Sequence, residues 1–232
     1  MSSRAAQHQP GASCAEPSAD GFLSELPAEL RDGLYRGASR VAYQRGSKIN
    51  GGDGAAPRPG MVVHGLVRGY LEAEDGREAT IGYLRPGDPI AIAGPLMTGW
   101  PYNLQALEDT TVLYFDQRQF EAALDSEVAL ARRVAESLAR SLENYAHTLR
   151  GLAFGRVRQR VAEHLISLAS RDSHGRLVAG VTQQGLADAV GSVRDVVARS
   201  LADFVASGLV GTSNGRVEIF NEDALRQVAT IR

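Results

Sequence analysis

Arg194, Asp195 and Arg199 stand at i, i+1 and i+5 in the segment Val181 to Val210, VTQQGLADAVGSVRDVVARSLADFVASGLV. On a helix this spacing puts two guanidinium groups and a carboxylate on one side of the first turn and a half, the part that an exposed helix presents to base edges in a major groove. A guanidinium can donate to guanine O6 and N7 together, and a carboxylate can accept from cytosine N4. Each good pair contributes about 1–3 kcal/mol of base discrimination. The same residues also fit an ordinary solvated helix face carrying an (i, i+4) ion pair from Asp195 to Arg199.

Two short amphipathic helices around a glycine turn are needed to hold such a face outward. Thr182 is suited to cap the first helix, in which Leu186, Ala187 and Val190 fall at helical spacing on one side. Gly191 closes that helix, because only glycine takes positive φ without a Cβ penalty, and Ser192 is expected to cap the next. Val193, Val197, Leu201, Phe204 and Val205 then form the expected buried stripe, opposite Arg194, Asp195, Ala198 and Arg199. The pattern predicts a DNA-reading helix-turn-helix. Gly208 ends the second helix, Leu209 and Val210 begin a strand, Asn214-Gly215 signals a hairpin, and Val217 to Phe220 return as a second strand. This predicts a wing, followed by a last helix capped by Asn221 with Glu222 and Asp223 in its first turn. Upstream, Gly155 to Ser170 reads as a helix with Val157, Val161, Leu165, Ile166 and Leu168 inward. Its Arg156, Arg158 and Arg160 are read as outward, either as a solvated face or as part of a phosphate footprint.

GLADAVGSVRDVVARSLADFVASGLV resembles the C-terminal helix-turn-helix of the Crp/Fnr superfamily of bacterial transcription regulators, whose signature sets a glycine turn before an arginine, an acid and a second arginine. The resemblance makes Arg194, Asp195 and Arg199 the base readers, with Thr182, Gln184 and Ser192 at the DNA backbone. The family's acid is usually glutamate; Asp195 is one methylene shorter, which leaves the half-site open. The implied partners are double-stranded promoter DNA, a second copy of the chain and RNA polymerase.

Between the N-terminal tail and the first long helix the chain reads as β structure. Val41-Ala42-Tyr43, Met61 to Tyr70, Ala79 to Leu84, Ile90 to Ala93 and Thr111 to Phe115 are short apolar or alternating runs separated by turn residues. HGLVRGYLEAEDGREATIGYLRPGDPIAIAG is similar to the cyclic-nucleotide-binding-like β-roll of the same superfamily, with Gly69 and Gly87 as the firmest matches. In relatives that bind cyclic AMP, a glutamate holds the ribose and an Arg-Ser pair holds the phosphate. Here the glutamate position is Ile92, the other two fall near Tyr102 and Asn103, and no arginine lies from Ile90 to Tyr114. With Tyr145 these residues make up the candidate effector pocket. It lacks the charge-assisted bonds that make phosphate binding strong, so no cyclic AMP site of the usual kind is expected. Haem, which some relatives hold through histidine, is weighed through His64 and His147, neither of which sits in a ligand motif. The effector is otherwise unknown, and a roll kept purely as scaffold is the alternative.

From Val128 the apolar positions run Val128, Ala131, Ala135, Leu138, Leu142, Tyr145, Leu149 and Leu152, alternating three and four residues. These are the a and d positions of a coiled coil, which predicts a homodimer. Two recognition helices would then sit one DNA turn apart, about 34 Å, on a palindromic site.

The expected fold class is α+β: a disordered tail over 1–20, a β-roll sensor over 21–123, a coiled-coil dimerisation helix over 124–154 and a winged helix-turn-helix over 155–232. The 232 residues and 44% hydrophobic content allow one sizeable core or two modest ones. Net charge is −2, but from Arg156 onward ten arginines face eight acids, a +2 half that suits DNA. No apolar run reaches transmembrane length and the first residues lack a signal peptide's core, so a cytoplasmic protein is expected. The single cysteine, Cys14, excludes an internal disulfide and a four-cysteine iron–sulfur cluster. No phosphate loop, metal-binding histidine pair or nucleophile elbow points to an enzyme. The remaining alternative is a ligand-sensing interaction module without DNA binding.

Overall fold

The computed structural model describes residues 21–49, 58–97, 100–213 and 215–230. The tail with Cys14, the turn residue Asn214 and the side chain of Leu152 lie outside the described residues. The chain divides into two compact units, one of Met1–Gly69 with Gly82–Asn144 and one of Tyr70–Ile81 with Tyr145–Arg232.

In the N-terminal half of the chain, helix α1 (Ala28–Arg36) leads into β1 (Ser39–Tyr43), followed by β2 (Gly60–His64), β3 (Val67–Glu72), β4 (Glu78–Leu84), β5 (Pro89–Ile90), β6 (Asn103–Ala106) and β7 (Thr110–Tyr114). One antiparallel sheet has the order β1-β7-β2-β5, with Val41 opposite Val112 and Met61 opposite Leu113. A second sheet has the order β4-β3-β6. Val41, Val62 and Val112 from the first sheet cluster with Val67, Leu104 and Ala106 from the second, as expected when two sheets bury facing sides. The expected run Met61 to Tyr70 is two strands. Gly65 breaks it at φ +92, and a Cβ there would collide with the Thr110 hydroxyl, so the position requires glycine. The run Ile90 to Ala93 stops after Ile90 because Ala91 turns into the left-handed region at φ +52.

Among the elements that escaped the sequence reading are α1, β6 and helix α2 (Gln117–Ser126), capped by Asp116 accepting from the Gln119 amide at 2.8 Å. Helix α3 (Val128–Phe154) follows. Its Leu130 and Val134 are buried among Phe22, Leu23, Met61, Leu113, Phe115 and Phe120. Arg133 fastens the chain start to this face. Its buried guanidinium donates to the Phe22 carbonyl at 3.0 Å and to Glu25 Oε2 at 2.9 Å, so each desolvated donor keeps an acceptor.

The second unit holds α4 (Val157–Leu168), β8 (Ser170–Arg171), β9 (Leu177–Ala179), α5 (Gln183–Ala189), α6 (Arg194–Ala206), β10 (Val210–Ser213), β11 (Arg216–Ile219) and α7 (Glu222–Ala229). α4 is shorter than the expected Gly155 to Ser170 and packs on α5, α6 and α7 through Val161, Ala162, Leu165 and Leu168, all buried. The sheet β10-β11-β9-β8 closes one side. Asn221 caps α7 as expected, accepting from the Ala224 amide at 3.0 Å. Among the described residues no helix is long and apolar enough to cross a membrane.

Candidate nucleic-acid interface

α5 and α6 form the expected helix-turn-helix. The Thr182 hydroxyl accepts from the Gly185 amide at 3.0 Å and starts α5, whose Leu186, Ala187 and Val190 are fully buried. The helix ends in a Schellman motif: Gly191, at φ +61, donates to Asp188 and Ser192 donates to the Ala187 carbonyl at 2.9 Å. Here one expectation is corrected. Because the Ser192 amide is used in closing α5, the chain runs one residue further before helical geometry resumes, and the N-cap of α6 is Val193, with no side-chain capping bond.

The buried side of α6 is Val197, Ser200, Leu201 and Phe204. Val193 and Val205, expected in this stripe, are exposed. Val193 lies outside the helix at φ −100, ψ 151, and Val205 stands about 100° around the axis from Phe204, so the buried arc runs through Ser200 instead. The Ser200 hydroxyl is satisfied by the Val196 carbonyl at 3.1 Å. A second Schellman closure ends α6, with Gly208 at φ +66 donating to Val205 and Leu209 donating to Phe204. It turns the chain directly into β10.

Arg194, Asp195 and Arg199 are all exposed on the side away from this core. The Asp195–Arg199 ion pair weighed from sequence does not form; Arg199 Nε reaches only the Asp195 carbonyl, at 3.4 Å. Among the described residues Arg194 has no hydrogen-bond or ion-pair partner. Both guanidiniums are therefore presented with little internal engagement. Gln184, on the exposed side of α5, donates to Asp188 Oδ1 at 2.8 Å. Ser192 is half-buried at the turn. In the wing, β10 pairs with β11, and a Cβ on Gly215 would lie 3.6 Å from the Thr182 methyl, so the hairpin tip stands beside the start of α5.

The three upstream arginines do not share one role. Arg160, expected outward, is half-buried and donates to the Val190 carbonyl at 3.0 Å and the Gly155 carbonyl at 2.7 Å, stitching α4 to the helix-turn-helix turn. Burial lowers its pKa from the ordinary arginine value. The Arg158 guanidinium lies 5.0 Å from the Phe204 ring centroid, a cation–π contact with the buried side of α6. Arg156 and Arg158 both remain exposed, as expected.

The candidate effector residues scatter in their surroundings. Ile92 is buried in the core cluster against α3, whereas Tyr102 packs with Trp100, ring centroids 4.4 Å apart, on the cluster between the two sheets. Asn103 is half-buried in β6, and Tyr145 is half-buried on α3. His64 Nδ1 is 3.1 Å from the Asp109 carbonyl, and His147 is exposed beside Arg150. Among the described residues no group of three His, Cys, Asp or Glu is placed to hold a metal ion.

Comparison with known proteins accounts for both units. Residues 159–228 match the Crp-like helix-turn-helix domain and residues 41–127 match the cyclic nucleotide-binding domain. The transcriptional regulator LdrP of Thermus thermophilus is 32% identical over 173 residues, 72% of this chain and 85% of that protein. The cyclic AMP receptor protein of Thermus thermophilus is 29% identical over 170 residues, 73% of this chain and 78% of that one. The crystal structure of a Crp/Fnr-family transcriptional regulator from Thermus thermophilus superposes with a TM-score of 0.67 at 26% identity, covering 82% of this chain and 98% of that chain. With a match to the cyclic nucleotide-binding domain, a long helix and a Crp-like helix-turn-helix in that order, the chain belongs to the Crp/Fnr family of transcriptional regulators.

Proposed function

We propose that this regulator acts in the cytoplasm as a homodimer that reads palindromic promoter DNA through Arg194, Asp195 and Arg199, with Thr182, Gln184 and Ser192 against the phosphate backbone. The observation that carries the reading is the outward face of α6. Two guanidiniums and a carboxylate are held there on a helix whose opposite side is fully packed, with almost no intramolecular partners. Groups left this free can exchange water for base edges without first breaking internal bonds.

The dimer reading rests on α3. Leu130 and Val134 pack on the chain's own core, while Val128, Leu138, Leu142 and Leu149 on the heptad stripe are exposed, Leu142 to 69%. Exposed leucines in a row at 3.5-residue period suit a second identical helix. On this reading residues 21–123 are the sensor, 124–154 the dimerisation helix and 155–232 the DNA-binding domain. RNA polymerase is the further partner.

The sensor is not controlled by cyclic AMP in the pocket its relatives use. Ile92 stands in the ribose-binding place and is buried among apolar side chains, and no arginine lies between Ile90 and Tyr114 to meet a phosphate. The residues present do not fit the cyclic nucleotide.

DNA binding tests the reading through its salt dependence. If each dimer neutralises about four phosphates, the logarithmic slope of affinity against salt is about −3.6, and affinity falls roughly a hundredfold between 50 and 200 mM salt. Fluorescence anisotropy with a labelled duplex measures this. A flat salt response contradicts the proposal.

A further inference from the structure

Val193 is placed badly for every role inside its own chain. It is the N-cap of α6, where a side chain that accepts from the first-turn amides is favoured and valine is among the least favoured, and it makes no capping bond. It is also 65% exposed, with its extended backbone conformation holding it off the helix's buried side. The backbone amide of the residue immediately before it, Ser192, closes α5. Its neighbour in the chain is Arg194, and it sits at the end of α6 that leads into a major groove. A residue that breaks both a capping and a burial preference at a functional surface is expected where the surface gains on binding.

In the major groove the one apolar group on base edges is the thymine C5-methyl, and small aliphatic side chains are the residues that contact it. We infer that Val193 is a specificity-determining residue that packs on a thymine methyl next to the base pair read by Arg194. This inference rests on the DNA-binding reading above and adds a hydrophobic contact to its polar ones. It explains why the position is not a serine or threonine cap: a capping hydroxyl would be turned toward the helix amides, whereas both valine methyls are free to meet the base.

The test replaces thymine by uracil, which removes one methyl and leaves every hydrogen-bonding edge intact. Operators selected from random duplexes by the full-length protein are synthesised with deoxyuridine at one position per half-site, and affinities are measured by anisotropy. Burying one methyl predicts a three- to fivefold loss per half-site at a single thymine beside the Arg194-contacted pair. Val193→Ser is expected to lose a comparable factor on the thymine operator and to show no further loss on the uracil operator. Val193→Thr keeps one methyl and retains most of the discrimination. Thermal melting serves as the folding control, since serine is the better cap and its variant should melt no lower than the parent. A uracil scan that is flat at every position, or a Val193→Ser protein that keeps the uracil penalty, overturns the contact while leaving sequence-specific binding in place. A protein that selects no duplex at all overturns the DNA-binding reading, and this contact with it.

Discussion

Replacing Arg199 with alanine is expected to weaken binding to the selected operator by a hundredfold or more while leaving the fold intact. A bidentate arginine–guanine pair contributes about 1–3 kcal/mol of discrimination, and a homodimer loses two of them. A combined loss near 2.8 kcal/mol is already a factor of about 100. Little is lost within the protein. The Arg199 side chain is exposed and its one internal hydrogen bond, to the Asp195 carbonyl, is long at 3.4 Å, so unfolding free energy should move by less than about 0.5 kcal/mol. Arg194→Ala should behave alike, and the double variant should bind operator and random duplex almost equally. Anisotropy on both duplexes, beside a thermal melt, separates the outcomes. Equal weakening on both duplexes would mean that the arginines serve only as phosphate contacts. Unchanged binding would point to an interaction module that does not use DNA.

A glutamate at Leu142 should abolish the dimer and with it high-affinity DNA binding. Leu142 lies on the exposed heptad stripe, and in a coiled coil its side chain and the partner's copy would each contribute about 1.5–3 kcal/mol by burial. Two carboxylates facing each other across the seam replace that gain with a desolvation cost of several kcal/mol. Sedimentation velocity at micromolar concentration should then give a monomer, and operator affinity should fall at least a hundredfold because each subunit must dock alone. Leu138→Glu should do the same. Glu143→Lys, exposed and off the stripe, should leave the dimer in place. A dimer that survives both stripe variants would place the interface elsewhere.

The recognition module was legible because its signals are local. Thr182 as a cap, Gly191 and Gly208 as helix closures and Asn221 as a cap each act within a few residues, and each occupies the expected place. The α3 stripe has a related signal: a 3.5-residue period is written along one helix, and Val128, Leu138, Leu142 and Leu149 on it are exposed.

What the sequence hid was decided by contacts between distant residues. Arg160 reads as one of three outward arginines, yet its destination is a carbonyl thirty positions away at Val190. Gly65 looks like a tolerated residue within an apolar run until Thr110 is brought across the sheet to forbid any side chain there. Val193 joins an apparent stripe only if the helix is started one residue too early, and the Schellman closure of α5 sets that start. β6 was missed because Asn103–Ala106, NLQA, has neither β-branched residues nor aromatics; its place comes from pairing within the sheet β4-β3-β6. The effector site is the least legible part. The family's polar groups are missing at Ile92, Tyr102 and Asn103, and an apolar replacement does not carry the identity of a ligand.

Selection of binding sites from a pool of random duplexes by the purified full-length protein is the most direct measurement of how this chain works. The account predicts an enriched inverted repeat whose half-sites are centred one helical turn apart, about 34 Å, with a G·C pair fixed in each half-site opposite Arg199. Enrichment of an unpaired single site, or recovery of the pool with its sequence composition unchanged, would contradict it.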